Sequence, residues 1–300
     1  GLPAPSRPRT KINRGSDKPV HLSYLPDEMK VSFEEALRIG AELGINHVEV
    51  RSVDGVNVID LSDEQVDAAK RLLDRYGMKV CNLATPFLKC TMPGLAAAAS
   101  GPMHQAREMP YEEHVRLIKR GAEIAKAFGA PRMRLFSFWR REGVDFWEAL
   151  EKAVKECLAE ADGTGVALSL ENEAACFIAT SADLAAVAGR IPDPRLTFIY
   201  DPGNSVYAGL RPGDEDLKAL SGRIALVHVK DARREAGGAV PALIGEGSVN
   251  YAEELKRIAA VYDGPLTLEP HYAPGGDTVA GMRQSVAALR RLASEAGIRL

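Results

Sequence analysis

From His21 onward the chain repeats one pattern eight times: a short β-rich apolar run, then a longer segment with apolar residues at helical spacing. Strands that alternate with helices in this way lie parallel, because a parallel neighbour is reached only through a crossover. The runs are His21–Leu25, His47–Val50, Lys79–Ala84, Arg132–Phe138, Val166–Leu170, Leu196–Tyr200, Ile224–Val229 and Pro265–Leu268. Ser32 with Glu35, and Ser62 with Gln65, have the spacing of a helix-opening capping box. Gly129 suits the left-handed stop of the helix before the fourth run. Eight parallel strands can close on themselves and so leave no exposed edge. The expected fold is a single (β/α)8 TIM barrel over residues 20–300, preceded by an extended or flexible segment at 1–19 that is rich in Pro, Arg, Ser and Lys. The rival, an open doubly wound sheet, lacks a GxGxxG turn and an antiparallel edge strand.

Charge and cysteine usage narrow the partners. With 38 basic and 41 acidic residues interspersed, the net charge of -3 leaves no broad cationic face for a phosphate backbone, so no nucleic-acid partner is expected. No apolar run approaches the roughly 20 residues needed to cross a bilayer, so no membrane association is expected either. The expected location is the cytoplasm. An export signal upstream is left open, because the chain begins at Gly1. Cys81, Cys90, Cys157 and Cys176 fall at irregular spacings without CxxC pairs and read as reduced, buried thiols.

The last four runs end on metal-capable side chains: Glu171, Asp201, His228 and Glu269. A carboxylate or imidazole inside a strand carries a heavy desolvation cost, whereas at a barrel mouth it can share a cation. Neighbouring strands lie about 4.8 Å apart, so four such groups can converge on one ion. Three carboxylates and an imidazole suit Mn²⁺ or Mg²⁺, with Zn²⁺ or Co²⁺ as alternatives. Because side chains alternate along a strand, Glu173, Lys230 and His271 share a face with the ligand two residues earlier and are candidates for substrate contact. Two long connections follow strands on the same side. The one from Pro86 to about Tyr111 can serve as a lid, and the one from Asp231 to Val249 carries the glycines of Gly245-Glu246-Gly247, which can turn tightly beside a ligand.

Several segments together resemble the xylose isomerase-like TIM-barrel superfamily, in particular its sugar phosphate isomerase/epimerase group. These are Leu170-Glu171-Asn172, Tyr200-Asp201-Pro202-Gly203-Asn204, His228-Val229-Lys230-Asp231, Gly245-Glu246-Gly247 and Leu268-Glu269-Pro270. The resemblance implies that Glu171 and Glu269 bind the metal and also move a proton next to a substrate carbonyl, through a cis-enediolate. It implies a small sugar or sugar-derived substrate and assembly as a homodimer or homotetramer. Glu173 departs from the pattern, standing where many relatives have a histidine. Asn204, Glu246 and Lys89 join the substrate-binding candidates, and Arg140 and Arg141 are further candidates for an anionic group.

Three other activities compete with this one. A lyase or dehydratase acting on an inosose or keto sugar begins with the same proton abstraction. An endonuclease IV-like phosphodiesterase needs a three-metal cluster with extra histidines. Only six exist here, His21, His47, His104, His114, His228 and His271, and the position after the sixth-strand aspartate carries Asn204. A non-catalytic barrel that binds metal and sugar is the third.

Overall fold

The computed structural model of the chain describes residues 20–97 and 101–300. Eight strands close into a barrel: β1 (Leu22–Tyr24), β2 (His47–Val50), β3 (Lys79–Phe87), β4 (Arg132–Leu135), β5 (Ala167–Glu171), β6 (Leu196–Tyr200), β7 (Ile224–Val229) and β8 (Leu266–Leu268). Each pairs in parallel with its sequence neighbours, and β8 closes on β1 through Leu22 opposite Leu266. Strands β5 to β8, whose ends carry the four expected ligands, are therefore consecutive staves.

The helices form as their sequence signals direct. Helix α1 (Phe33–Glu42) starts at Ser32, whose hydroxyl accepts the Glu35 N–H, and α2 (Asp63–Arg75) opens with the complete Ser62–Gln65 box. Such caps contribute about 1 kcal/mol each by satisfying N–H groups the helix leaves unpaired. The helix before β4 ends at Gly129 with φ +70°, as expected, but Leu117 divides it into Tyr111–Arg116 and Ile118–Phe128. Phe198 and Tyr200 face the large apolar core between barrel and helices, whereas Ile199 joins Cys81 and Leu226 in a small cluster of its own inside the barrel. That split is the period-two alternation of a stave with two buried faces. All four cysteines are free and buried.

Besides the break at Leu117, three features differ from the sequence reading, the first being that β3 runs on to Phe87 rather than ending at Ala84. Strand β4 stops at Leu135 rather than Phe138, and Phe138 itself sits at φ +61°, a left-handed conformation outside the range of a strand. The Asp231–Val249 connection contains an antiparallel hairpin, Asp231–Glu235 with Gly238–Ala242. Residues 1–19, and Ala98–Ser100 within the expected lid, lie outside the described residues. No helix among the described residues is long and apolar enough to cross a membrane.

Candidate metal centre at the barrel mouth

Glu171, Asp201, His228 and Glu269 come together, each offering one ligand atom, with all four atoms within 4.8 Å of one another and every residue buried. His228 is the hub. Its Nδ1 lies 3.0 Å from Glu171 Oε1, 3.5 Å from Glu269 Oε2 and 3.7 Å from Asp201 Oδ2. Its Nε2 lies 2.8 Å from Glu49 Oε2, on β2 across the barrel. Glu49 in turn accepts a hydrogen bond from Asn82 Nδ2 at 2.7 Å. A histidine held by a carboxylate through one nitrogen presents the other in a fixed direction, the arrangement common behind metal-binding imidazoles. The donor set and its spacing therefore fit a divalent cation, with Nδ1 as the nitrogen ligand.

Each glutamate is also gripped by a buried arginine. Arg134 Nη1, on β4, donates to Glu171 Oε2 at 2.8 Å while its other nitrogens bond the Ala84 and Thr85 carbonyls. Arg51 Nη1, just after β2, donates to Glu269 Oε1 at 2.9 Å, and Arg51 also pairs with Asp27 and Glu28. The ammonium of Lys230 bridges Asp201 Oδ2 and Glu269 Oε2, at 2.8 Å from each.

These charges set the protonation of the centre. Burial opposes ionisation of Glu171, but His228 and Arg134 outweigh it and hold the carboxyl at about 2. Burial likewise opposes ionisation of Glu269, which Lys230, His271 and His228 hold well below the usual carboxylate range. Burial also disfavours a charged His228. Glu49 and Glu171 overcome that and raise it well above the ordinary imidazole value.

The other predicted residues divide into two groups. Glu173, Asn204, Lys230 and His271 line a cavity of about 370 Å³ at the mouth, together with Glu269 and Tyr207. All three second members of the strand-end pairs, Glu173, Lys230 and His271, thus lie at the mouth. Pro102 and His104 line the same cavity from the expected lid, and Pro241 lines it from the hairpin. Burial, reinforced by Arg51 and Lys89, pushes the His104 imidazole down to about 2, so this residue is neutral. Lys89 lies beside the mouth, buried over the Phe136 and Trp139 rings, with Nζ 3.5 Å from Glu173 Oε2. Glu246, by contrast, is exposed and does not line the cavity. Its neighbours explain the motif: Gly245 and Gly247 donate their N–H groups to Asp231 Oδ2, at 3.0 Å each. Arg140 and Arg141 do not line the cavity, and Arg141 bonds the Ala96 carbonyl.

Sequence reasoning missed Glu49, Arg51 and Arg134. The available signal was Glu49-Val50-Arg51 and Arg132-Met133-Arg134, charges at alternate positions of barrel strands, which demand buried partners.

Two expected outcomes follow from this geometry. Glu49→Gln keeps the shape but loses the charge behind His228. It should weaken Mn²⁺ binding by about 10- to 100-fold, read by calorimetric titration; unchanged affinity would show that the Glu49 contact does not orient the ligand. Gly203 is required by close approach, since a Cβ there would lie 2.6 Å from Lys230 Cγ and 2.7 Å from its carbonyl oxygen. Gly203→Ala should cost about 1–3 kcal/mol of stability by overpacking, seen as a lower denaturation midpoint. An unshifted midpoint would mean that the helix at Pro202–Tyr207 moves aside freely.

Comparison with known proteins agrees with this architecture. Residues 37–292 match the family model described as xylose isomerase-like TIM barrel. Among curated proteins none matches the chain. Among solved structures, the zinc-bound IolI protein is similar with a TM-score of 0.74 and 14% identity, over 92% of this chain and 99% of that one. D-psicose 3-epimerase with D-tagatose, from Clostridium cellulolyticum H10, gives 0.68 and 13%, over 92% and 99%. The probable 3-DHS dehydratase AsbF from Bacillus anthracis gives 0.68 and 16%, over 90% and 99%. Identities this low show a shared fold alone. The family match spans most of the chain and the closed eight-stranded barrel accords with it, so this protein belongs to the xylose isomerase-like TIM-barrel family.

Proposed function

We propose that the chain is a divalent-metal-dependent sugar isomerase or epimerase that moves a proton at a carbon next to a carbonyl. The observation that carries this reading is the convergence of three buried carboxylates and His228 Nδ1 at the mouth of a cavity large enough for a small sugar. Glu171, Asp201 and Glu269, one oxygen each, and His228 Nδ1 would hold the cation. Bound there, it would polarise substrate oxygens and offset negative charge as an enediolate forms. Mn²⁺ or Mg²⁺ suits the oxygen-rich donor set best.

The chain's own residues then do the rest. Glu171 and Glu269 end the first and last of four consecutive staves, so a substrate carbon held between them has a carboxylate on either side. One takes the proton and the other returns or relays it. Arg134 and Arg51 fix the two carboxylates, while His228 with Arg134 keeps Glu171 ionised and Lys230, His271 and His228 keep Glu269 so, hence ready to accept. Both are weak bases, so the transfer requires a substrate proton acidified by the adjacent carbonyl. Asn204 and Lys230 line the cavity where substrate hydroxyls would lie, and Lys230 keeps one N–H beyond its two carboxylates, while Pro102 and His104 border the mouth from the lid side. The same first step can open an elimination, and the fold likeness to a dehydratase keeps that variant in view.

The histidines favour this chemistry over phosphodiester cleavage. Among the described residues His228 enters the four-donor cluster and His271 a second group with Glu28 and Glu269, two groups and not the three that a three-metal cluster needs; His21 stacks on His47, and His114 is buried in the helix Tyr111–Arg116. The test is solvent deuterium incorporation into D-tagatose, D-fructose and other ketoses with added Mn²⁺, alongside product analysis. Exchange beside the carbonyl supports the assignment, and absence of exchange across a broad panel of ketoses and inososes removes it.

A further inference from the structure

We infer that the mouth accepts an uncharged, unphosphorylated polyol or keto sugar and rejects phosphate esters and carboxylates, with Glu173 enforcing the choice. This rests on the sugar reading of the site and narrows its substrate class. Proteins bind phosphate through free cations, helix N-termini or glycine-rich backbone nests. Among the described residues around this mouth, each of these devices is already satisfied from within the chain.

The cations are committed to carboxylates. Lys230 lies between Asp201 and Glu269, Arg51 pairs with Asp27, Glu28 and Glu269, and Arg134 is spent on Glu171 and two carbonyls. Lys89 faces Glu173 and is buried over two aromatic rings. A neighbouring cavity of about 330 Å³ is lined by Lys89, but Glu108 lines it too. The helix N-terminus closest to the centre, at Pro202–Tyr207, is capped by Asp201, whose Oδ1 accepts the Asn204 N–H at 2.8 Å. The glycine-rich turn at Gly245–Gly247 would make a nest for an anion, yet Asp231 fills it. Asp231 takes the N–H groups of Gly245 and Gly247 on one oxygen and those of Ala232 and Val249 on the other. A Cβ at Gly247 would lie 2.1 Å from Asp231 Oδ1, which shows how closely the carboxylate is enclosed.

Glu173 adds repulsion to this lack of attraction. It lines the mouth cavity with Glu269 and His271, whose Nε2 lies 3.7 Å from Glu269 and 3.8 Å from Glu28, so an incoming anion meets two carboxylates and an imidazole already set between carboxylates. Removing its charge would also release Lys89, the one lysine here whose only carboxylate partner is Glu173 at 3.5 Å. The residue is thus a specificity-determining one, placed where a neutral or cationic side chain would open the site to anions.

The experiment compares D-tagatose and D-fructose with their 6-phosphates by NMR titration of the Mn²⁺-loaded protein. The wild type should bind the free sugars at least tenfold more tightly than the esters. In Glu173→Gln that ratio should fall at least tenfold, and adding Lys89→Met should restore it. Equal or tighter binding of the esters by the wild type overturns the inference, as does failure to bind either form. An unchanged ratio in a folded Glu173→Gln protein removes Glu173 as its cause. Deuterium exchange on the same samples separates the two readings: preference for the free sugar without exchange keeps the charge rule and removes the isomerase assignment, whereas exchange into a preferred ester does the reverse.

Discussion

Glu269→Gln and Glu171→Gln should each slow proton exchange into the substrate by roughly 10³-fold, a barrier increase of about 4 kcal/mol. Glutamine preserves the length and one ligating oxygen of each side chain, so the loss isolates the ability to accept a proton. The local pairings make the change tolerable: at position 269, Arg51 keeps Asp27 and Glu28, and at position 171, Arg134 keeps the Ala84 and Thr85 carbonyls. Neither guanidinium is left without an acceptor. Because the two glutamates serve successive halves of one transfer, the double variant should be about as slow as the slower single one rather than the product of both. The measurement is deuterium incorporation at saturating substrate, with Mn²⁺ affinity determined for every variant. A single variant that keeps more than a tenth of the parental rate loses its place as a proton carrier. A rate that recovers at higher Mn²⁺ assigns the defect to metal binding instead.

What the sequence disclosed about this centre follows from how charges are distributed along strands. An apolar run that closes on Glu, Asp or His is costly unless the end of the strand is a shared polar site, and four successive runs did so. That is why Glu171, Asp201, His228 and Glu269 were legible, and why alternation extended the prediction to Glu173, Lys230 and His271. The same logic applied to β2 and β4 exposes Glu49, Arg51 and Arg134, but those strands carry their charges along with apolar neighbours and do not end on a metal-type ligand. Their partners in the metal cluster, Glu269, Glu171 and His228, lie 37 to 218 residues away in sequence, a distance that only the closed barrel bridges. Loop paths were less legible still. Glu246 reads as a substrate contact because its glycines suggest a ligand, whereas the carboxylate that this turn encloses is Asp231. The lid could be located between β3 and the following helix, yet nothing in its composition singled out His104 as the residue over the mouth. Strand β4 reads as longer than it is for a similar reason: Phe138 is a β-former by type, and only its tertiary setting imposes the positive φ.

Metal uptake should release about one proton, and Mn²⁺ affinity should rise by up to roughly tenfold per pH unit over the range in which His228 is protonated. The reasoning begins with the two faces of that ring. Nε2 keeps its hydrogen to donate to Glu49, so the proton that must leave is the one on Nδ1, the atom turned toward Glu171, Asp201 and Glu269. In the protein stripped of metal by chelation, the carboxylates hold that proton and raise His228 well above the ordinary imidazole value, against the opposing effect of burial. The sign for stability follows. A raised folded-state value means that protonated His228 stabilises the stripped protein fully below the unfolded value of about 6.5, and this contribution is lost as pH climbs through the folded value. Divalent cation replaces it, so the gain in denaturation midpoint on adding Mn²⁺ should grow from acidic to alkaline pH. Calorimetric titrations in two buffers of different ionisation enthalpy count the proton directly. Zero release, with affinity flat from about pH 6 to pH 9, would mean that His228 Nδ1 is not a ligand and that the cation, if bound, is held by the carboxylates alone.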